Sequence, residues 1–260
     1  MDNFNILNKE NFYHPLIISI PHSGTYIPSD IQRNIVEGIV LANTDWFLPE
    51  LYDFFEHMGV TVIKNNISRY VIDVNRNSNI IKTNDYRRNL VFSNTSSGRK
   101  IYKRHITRKD VERRIKLYYN PYHNVIKELI REKLKIFKKV YILDLHSYDI
   151  TPSGITDKVL LGNQNGSTCS EKYFDIVCNA FLKENIDIER NKEFLGGYIT
   201  KHYGTEYGDR VETIQIEIPY SKYIEDRVFG EEVVKVYNEE VFEKMKHRLE
   251  NIFNDIIKEI

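Results

Sequence analysis

Pro15-Leu16-Ile17-Ile18-Ser19-Ile20-Pro21-His22-Ser23-Gly24 is a short aliphatic run closed by turn residues, with a histidine directly after the closing proline. Such a run spells a buried strand, so the imidazole falls just past the strand's carboxyl end. The same grammar returns in Val140-Tyr141-Ile142-Leu143-Asp144-Leu145-His146-Ser147. Open α/β sheets place their ligand sites at that end, and here two histidines arrive there independently.

Further strand-like runs lie at 60–64, 69–74 and 211–218, beside those at 16–20 and 139–145, with helix-like segments between several of them. This alternation predicts an α/β fold whose mainly parallel or mixed sheet is covered by helices on both faces. A helix is expected over Thr44 to Met58, ended by Gly59. From 108 to 133 the residues Val111, Ile115, Tyr118, Tyr122, Ile126 and Leu129 recur at helical steps, with Pro121 kinking or splitting the helix. A last stripe runs through Tyr237, Val241, Met245, Leu249, Ile252 and Ile256, facing the core. Asn75 to Lys100 and Thr151 to Ser170 read as loops, the second as pocket rim. No repeat or linker divides the chain, so 1–260 is taken as a single domain.

Composition narrows the function classes. Lys+Arg 37 balances Asp+Glu 37, so no global field favours nucleic acid or an anionic membrane. The amino-terminal stretch lacks a basic, apolar leader and no segment is apolar enough to span a bilayer, which points to a cytoplasmic protein. Cys169 and Cys178 form neither a disulfide framework nor a zinc-ribbon pair.

Two neutral imidazoles with one carboxylate would make a three-ligand zinc site with an open fourth position. His22 and His146 are the imidazoles. Asp45, in Asn43-Thr44-Asp45-Trp46, is a third ligand or a helix cap, with Asp53, Asp73 and Asp144 as alternatives. Asp144 shares a strand face with His146 and can hold that ring's tautomer. A strand over 69–74 would put Arg69, Val71 and Asp73 on one face, with Arg76 in the turn beyond; the two guanidiniums would then fork a substrate carboxylate, or pair with Asp73. In Ile214-Gln215-Ile216-Glu217-Ile218, a strand carboxylate among isoleucines is costly unless it is paired or used, which makes Glu217 the candidate general base. Gly196-Gly197-Tyr198 through His202-Tyr203-Gly204 adds a flexible entry and another histidine that either meets substrate or faces solvent.

These stretches, together with Ser68-Arg69-Tyr70-Val71-Ile72-Asp73-Val74-Asn75-Arg76 and Tyr119-Asn120-Pro121-Tyr122-His123, resemble the N-formylglutamate amidohydrolase family over roughly residues 14 to 225. The resemblance implies a phosphorylase/hydrolase-like fold related to zinc carboxypeptidases, and a zinc-dependent enzyme that hydrolyses N-formyl-L-glutamate to formate and glutamate, in histidine catabolism. Carried onto this chain it implies His22, Asp45 and His146 as ligands of one zinc ion and Glu217 as the catalytic carboxylate. Arg69 and Arg76 become the binders of a small anionic N-acyl amino acid, with Asn75 and His123 as further substrate contacts and His202 as a second catalytic group. The Asn- and Ser-rich loop at 77–100 departs from typical members. Competing readings are a zinc amidase of peptide or cell-wall amides and an inactive small-anion binder. A serine hydrolase lacks its Gly-x-Ser-x-Gly elbow. Oligomeric state is not encoded in any of these motifs.

Overall fold

The computed structural model describes residues 2–10, 13–79, 89–155 and 157–260. Among these residues seven strands form one sheet: β1 (Phe4–Leu7), β2 (Leu16–Ile20), β3 (Thr61–Asn65), β4 (Val140–Tyr148), β5 (Val159–Gly162), β6 (Ile188–Arg190) and β7 (Val211–Pro219), in the order β1-β3-β2-β4-β7-β5-β6. The central β3-β2-β4-β7 strands are parallel, β1 and β5 run antiparallel to their inner neighbours, and β6 follows β5. Every residue of β2 and β7 is buried, as expected of strands covered on both faces. The expected mixed α/β sheet is thus observed. Among the described residues no helix is long and apolar enough to cross a membrane.

Among the described residues eight α-helices accompany the sheet: α1 (Ser29–Gln32), α2 (Leu48–Leu51), α3 (Phe55–Met58), α4 (Arg108–Arg114), α5 (Asn120–Lys133), α6 (Glu171–Lys183), α7 (Tyr198–Glu206) and α8 (Glu239–Glu259). One face packs Leu16, Ile18, Leu143, Leu145 and Ile216 against α2, α3, α6 and α8, where Met245, Leu249, Ile252 and Ile256 turn inward as their spacing foretold. The other packs Ile17, Ile63, Val140 and Ile142 against α4, α5 and α7. On this second face the side chains change character toward the strands' carboxyl ends. Ser19, Asp144 and Gln215 lie in register, and His146 is paired with Glu217 one step on. Because alternate residues share a face, the aliphatic half anchors the helices and the polar half is left to a cleft.

Three expectations require correction. Residues 69–74 are a turn and not a strand: Val71 N bonds back to Ser68 O at 2.8 Å, and Asp73 N reaches Leu90 O at 2.9 Å instead of a neighbouring strand. The helix expected over 44–58 is two short ones, α2 and α3, the first preceded by Phe47 at φ 59; Gly59 does end the second, in the left-handed conformation. The loop expected over 151–170 contains β5. Part of the irregular stretch at 75–100, residues 80–88, lies outside the described residues.

The 108–133 helix is divided as Pro121 foretold, through a π-turn at Ile115–Tyr119 that leads into α5 with the proline in its first turn. A proline has no N–H to continue the ladder, and the wider turn accommodates it. This places Tyr119 to donate to the Arg76 carbonyl at 2.8 Å and His123 Nε2 to donate to the Val74 carbonyl at 2.8 Å, so one helix start grips the 74–76 loop twice. His123 Nδ1 meets the Tyr203 hydroxyl at 2.8 Å. Burial pushes this histidine from 6.5 down to about 3. The unfolded chain therefore takes up a proton below pH 6.5 that the folded protein refuses, and stability falls as pH drops from 6.5 toward 3. His123→Gln is expected to flatten that limb, seen as a smaller loss of unfolding free energy between pH 6.5 and 4.5 in urea titrations than the wild type suffers.

Candidate active site

Asp73 is fully buried, and four cationic or donor groups converge on it. Its Oδ1 accepts from His22 Nε2 at 2.7 Å and from the Asn75 amide at 2.9 Å; its Oδ2 accepts from Arg69 at 2.8 Å, with Arg76 Nε at 3.6 Å. Burial alone would raise this carboxyl, but His22, Arg69 and Arg76 reverse the effect and hold it well below the ordinary range. A carboxylate only accepts, so His22 carries its proton on Nε2 and turns a bare Nδ1 the other way. Burial, then the Arg69 charge, keep the ring neutral by lowering its pKa.

His146 is likewise backed by an aspartate. Its Nε2 faces Asp144 Oδ2 at 2.9 Å, the oxygen that Asn75 Nδ2 also reaches at 3.1 Å, and its Nδ1 faces Asp45 Oδ2 at 3.0 Å. Burial opposes a charge on this ring, yet Asp144, Asp45 and Glu217 together raise its pKa well above the usual value. His22 Nδ1 stands 3.8 Å from the same Asp45 oxygen. Both Nδ1 atoms are thus aimed at one carboxylate while a second aspartate holds each ring from behind, the arrangement that orients imidazoles toward a metal. The ligand atoms of His22, Asp45 and His146 lie within 4.8 Å of one another, all three residues buried. Two nitrogens and one oxygen so disposed suit a divalent cation. Asp45 precedes α2 by three residues and does not cap it. Asp73 and Asp144 are occupied behind the rings, and the exposed Asp53 pairs with Lys246 at 2.8 Å. Among the four aspartates considered, Asp45 is the one facing both Nδ1 atoms.

The cluster sits in a cleft of about 650 Å³ whose wall includes Arg69, Arg76, Asn75, Gln215 and Glu217. Glu217 Oε1 accepts from Gln215 Nε2 at 2.9 Å, and Gln215 Oε1 accepts from Gly197 N at 2.6 Å. Burial pushes the Glu217 carboxyl up to about 8, against the pull of His146 and Arg69. Gly197, the first residue of the α7 entry, presses on Asn75: a Cβ there would lie 2.3 Å from Asn75 Nδ2. Asn75 Oδ1 caps the Ile199 amide at 2.8 Å, so this residue spends its side chain joining Asp144 to α7.

Two sequence-based candidates lie elsewhere. His123 is buried beneath the 74–76 loop with both ring nitrogens engaged and does not line the cleft. His202 Nε2 pairs with Glu206 at 2.7 Å one helical turn away, its ring stacked on Tyr198, in an adjoining cleft that shares Arg76 and Gly197 with the first. The π-turn tyrosine Tyr119 and the Gln215 to Gly197 bond were not singled out in the sequence; the Tyr-Asn-Pro-Tyr-His stretch carried the signal for the first, since a proline inside an apolar stripe marks a helix start.

Imidazoles turned by buried aspartates toward a shared carboxylate, at the carboxyl edge of a mixed α/β sheet, define a hydrolase with the means to hold a metal ion. The N-formylglutamate amidohydrolase family model matches residues 14–224, and the chain belongs to that family. It is 30% identical over 224 residues to an N-formylglutamate deformylase of Pseudomonas aeruginosa, covering 82% of this chain and 83% of that one. A second N-formylglutamate deformylase, from Pseudomonas putida, is 28% identical over 229 residues, with 82% of each chain covered. The fold is shared with the crystal structure of N-formylglutamate amidohydrolase from Ralstonia eutropha JMP134, at TM-score 0.82 and 24% identity over 98% of both chains.

Removing the charge that this site converges on is expected to be severe. Asp73→Asn leaves the largely buried Arg69 facing a neutral amide, a loss on the order of 3–5 kcal/mol, read as a lower urea midpoint at unchanged m value.

Proposed function

We propose that the protein is a zinc-dependent amidohydrolase that cleaves N-formyl-L-glutamate to formate and L-glutamate, as the named activity of its deformylase relatives suggests. The observation that carries this reading is the pair of Nδ1 atoms facing Asp45 Oδ2, with Glu217 on the neighbouring strand in register with His146. His22, Asp45 and His146 would hold one zinc ion per chain, for which a two-imidazole, one-carboxylate donor set is apt. When bound, zinc supplies Lewis-acid chemistry, polarising the amide carbonyl and making water nucleophilic near neutral pH.

The chain's own residues do the rest. In its carboxylate form, which a cation held at the neighbouring cluster would favour over the protonated one, Glu217 takes the proton from the attacking water and delivers it to the departing amine nitrogen, so that the C–N bond breaks without expelling an amide anion. Gln215 holds one Glu217 oxygen, which leaves the other for that transfer. Arg69 and Arg76, both already anchored on Asp73, present their remaining donors to the substrate carboxylates and fix the amide relative to the metal cluster. Asn75 supports this by orienting Asp144, and the whole chain acts as one catalytic domain. A small anionic substrate suits an arginine wall in a bounded cleft better than a peptide or cell-wall strand does. A cytoplasmic role in histidine catabolism accords with such a substrate.

The direct test is glutamate release from N-formyl-L-glutamate by purified protein, as prepared, after chelation, and after zinc is restored. Turnover lost and regained with the metal supports the proposal; no turnover with zinc bound removes this substrate. Glu217→Gln is expected to lower kcat by about 10²–10⁴-fold, the usual worth of general acid–base catalysis, while zinc content stays at that of the wild type. Arg69→Ala should chiefly raise KM, and an unchanged kcat/KM would take the arginine out of substrate binding.

A further inference from the structure

Asp45 differs from the two histidines in how it is carried. His146 lies within β4 and His22 two residues past β2, whereas Asp45 belongs to the irregular segment between α1 and α2. A ligand carboxylate on such a segment needs its backbone fixed by something outside the segment. Its own amide donates to the His22 carbonyl at 3.2 Å. The peptide groups on either side are held by two tyrosines: Tyr220 Oη donates to the Thr44 carbonyl at 2.6 Å, and Tyr223 Oη donates to the Trp46 carbonyl at 2.8 Å. Tyr223 Oη also lies 3.0 Å from the hydroxyl of Ser147, the residue after His146. Tyr220, Tyr223, Thr44 and Trp46 are all buried, so these bonds face little competition from water.

Both hydroxyls come from one place. Directly after Pro219 ends β7, a 3-10 turn at Tyr220–Lys222 brings the two rings into edge-to-face contact under the Asp45 segment. The strand that carries Glu217 therefore continues into the clamp that sets Asp45.

We propose that Tyr220 and Tyr223 are positioning residues that hold the Asp45 carboxylate at the distance from His22 and His146 required for tight metal binding. The proposal rests on the metal reading of the cluster. It is tested on the full chain stripped of metal by chelation, by titrating zinc against a chromophoric chelator for wild type, Asp45→Ala, Tyr220→Phe, Tyr223→Phe and Tyr102→Phe. The last removes a buried hydroxyl that donates to the Tyr70 carbonyl, away from Asp45.

Each of Tyr220→Phe and Tyr223→Phe is expected to weaken zinc binding on the order of tenfold, as loss of a group orienting a ligand typically does. Tyr102→Phe should bind as the wild type does, and Asp45→Ala should lose more than either clamp variant. Metal-free thermal unfolding is recorded alongside, because a merely structural hydroxyl would lower Tm and leave the affinity alone. Should Tyr223→Phe fail to fold, Tyr220→Phe, at the cleft wall, carries the test by itself. Wild-type affinity in Asp45→Ala would sink the metal reading and this proposal together. Impaired Asp45→Ala with undiminished affinity in the folded tyrosine variants would overturn the proposal alone, as would an equal loss in Tyr102→Phe.

Discussion

A single buried carboxylate, Asp73, orients the His22 imidazole with one oxygen and anchors two guanidiniums with the other. Burying an acid with no solvent contact is costly unless its lone pairs are filled. Here the groups that fill them are those the site uses. The candidate metal cluster and the arginine wall of the cleft thus share one electrostatic anchor, and a displacement of Asp73 moves both.

That anchor lies in a turn, and a turn is held only by what surrounds it. The carbonyls of Val74 and Arg76 are gripped by His123 and Tyr119 from the start of α5, and Asn75 between them reaches Asp144 and the α7 amide. The loop is therefore threaded between a helix start below and a helix start beside it. Such over-determination keeps polar groups at fixed distances, which a mobile loop could not do. Gly197 shows how close the fit is, since its missing side chain is the space that the Asn75 amide fills.

The central strands and two of the three metal-binding candidates, His22 and His146, were legible because each follows a local rule, whereas Asp45 read equally as a helix cap. Largely apolar runs mark β2 and β4, and the polar alternation in Asp144-Leu145-His146 and Gln215-Ile216-Glu217 showed which side chains leave the core. The turn at 69–76 reads as a strand because Tyr70, Val71, Ile72 and Val74 have strand chemistry; they are apolar to bury the turn, and Asp73 and Asn75 are drawn to partners 51 and 124 positions distant in the chain, His22 and Ile199. No local pattern encodes such partners. His123 and His202 looked functional for the opposite reason: a histidine is conspicuous in a sequence, whereas its satisfaction by Val74 and Tyr203, or by Glu206, is visible only in three dimensions. Short edge strands such as β6, three residues long, fall below what periodicity can register.

The strand order has a consequence for how the chain is made. β4 lies between β2 and β7, yet β5 and β6 are synthesised before β7 and must lie on its far side. Until residue 219 emerges from the ribosome, β4 has one unpaired edge, and β5 has no legitimate place in the sheet. The nascent chain must hold the residues before β7 in an incomplete state, with the nine-residue β4 edge open to its own β5 or to another chain. A chaperone that shields that edge until β7 inserts would raise yield without touching the stability of the finished protein.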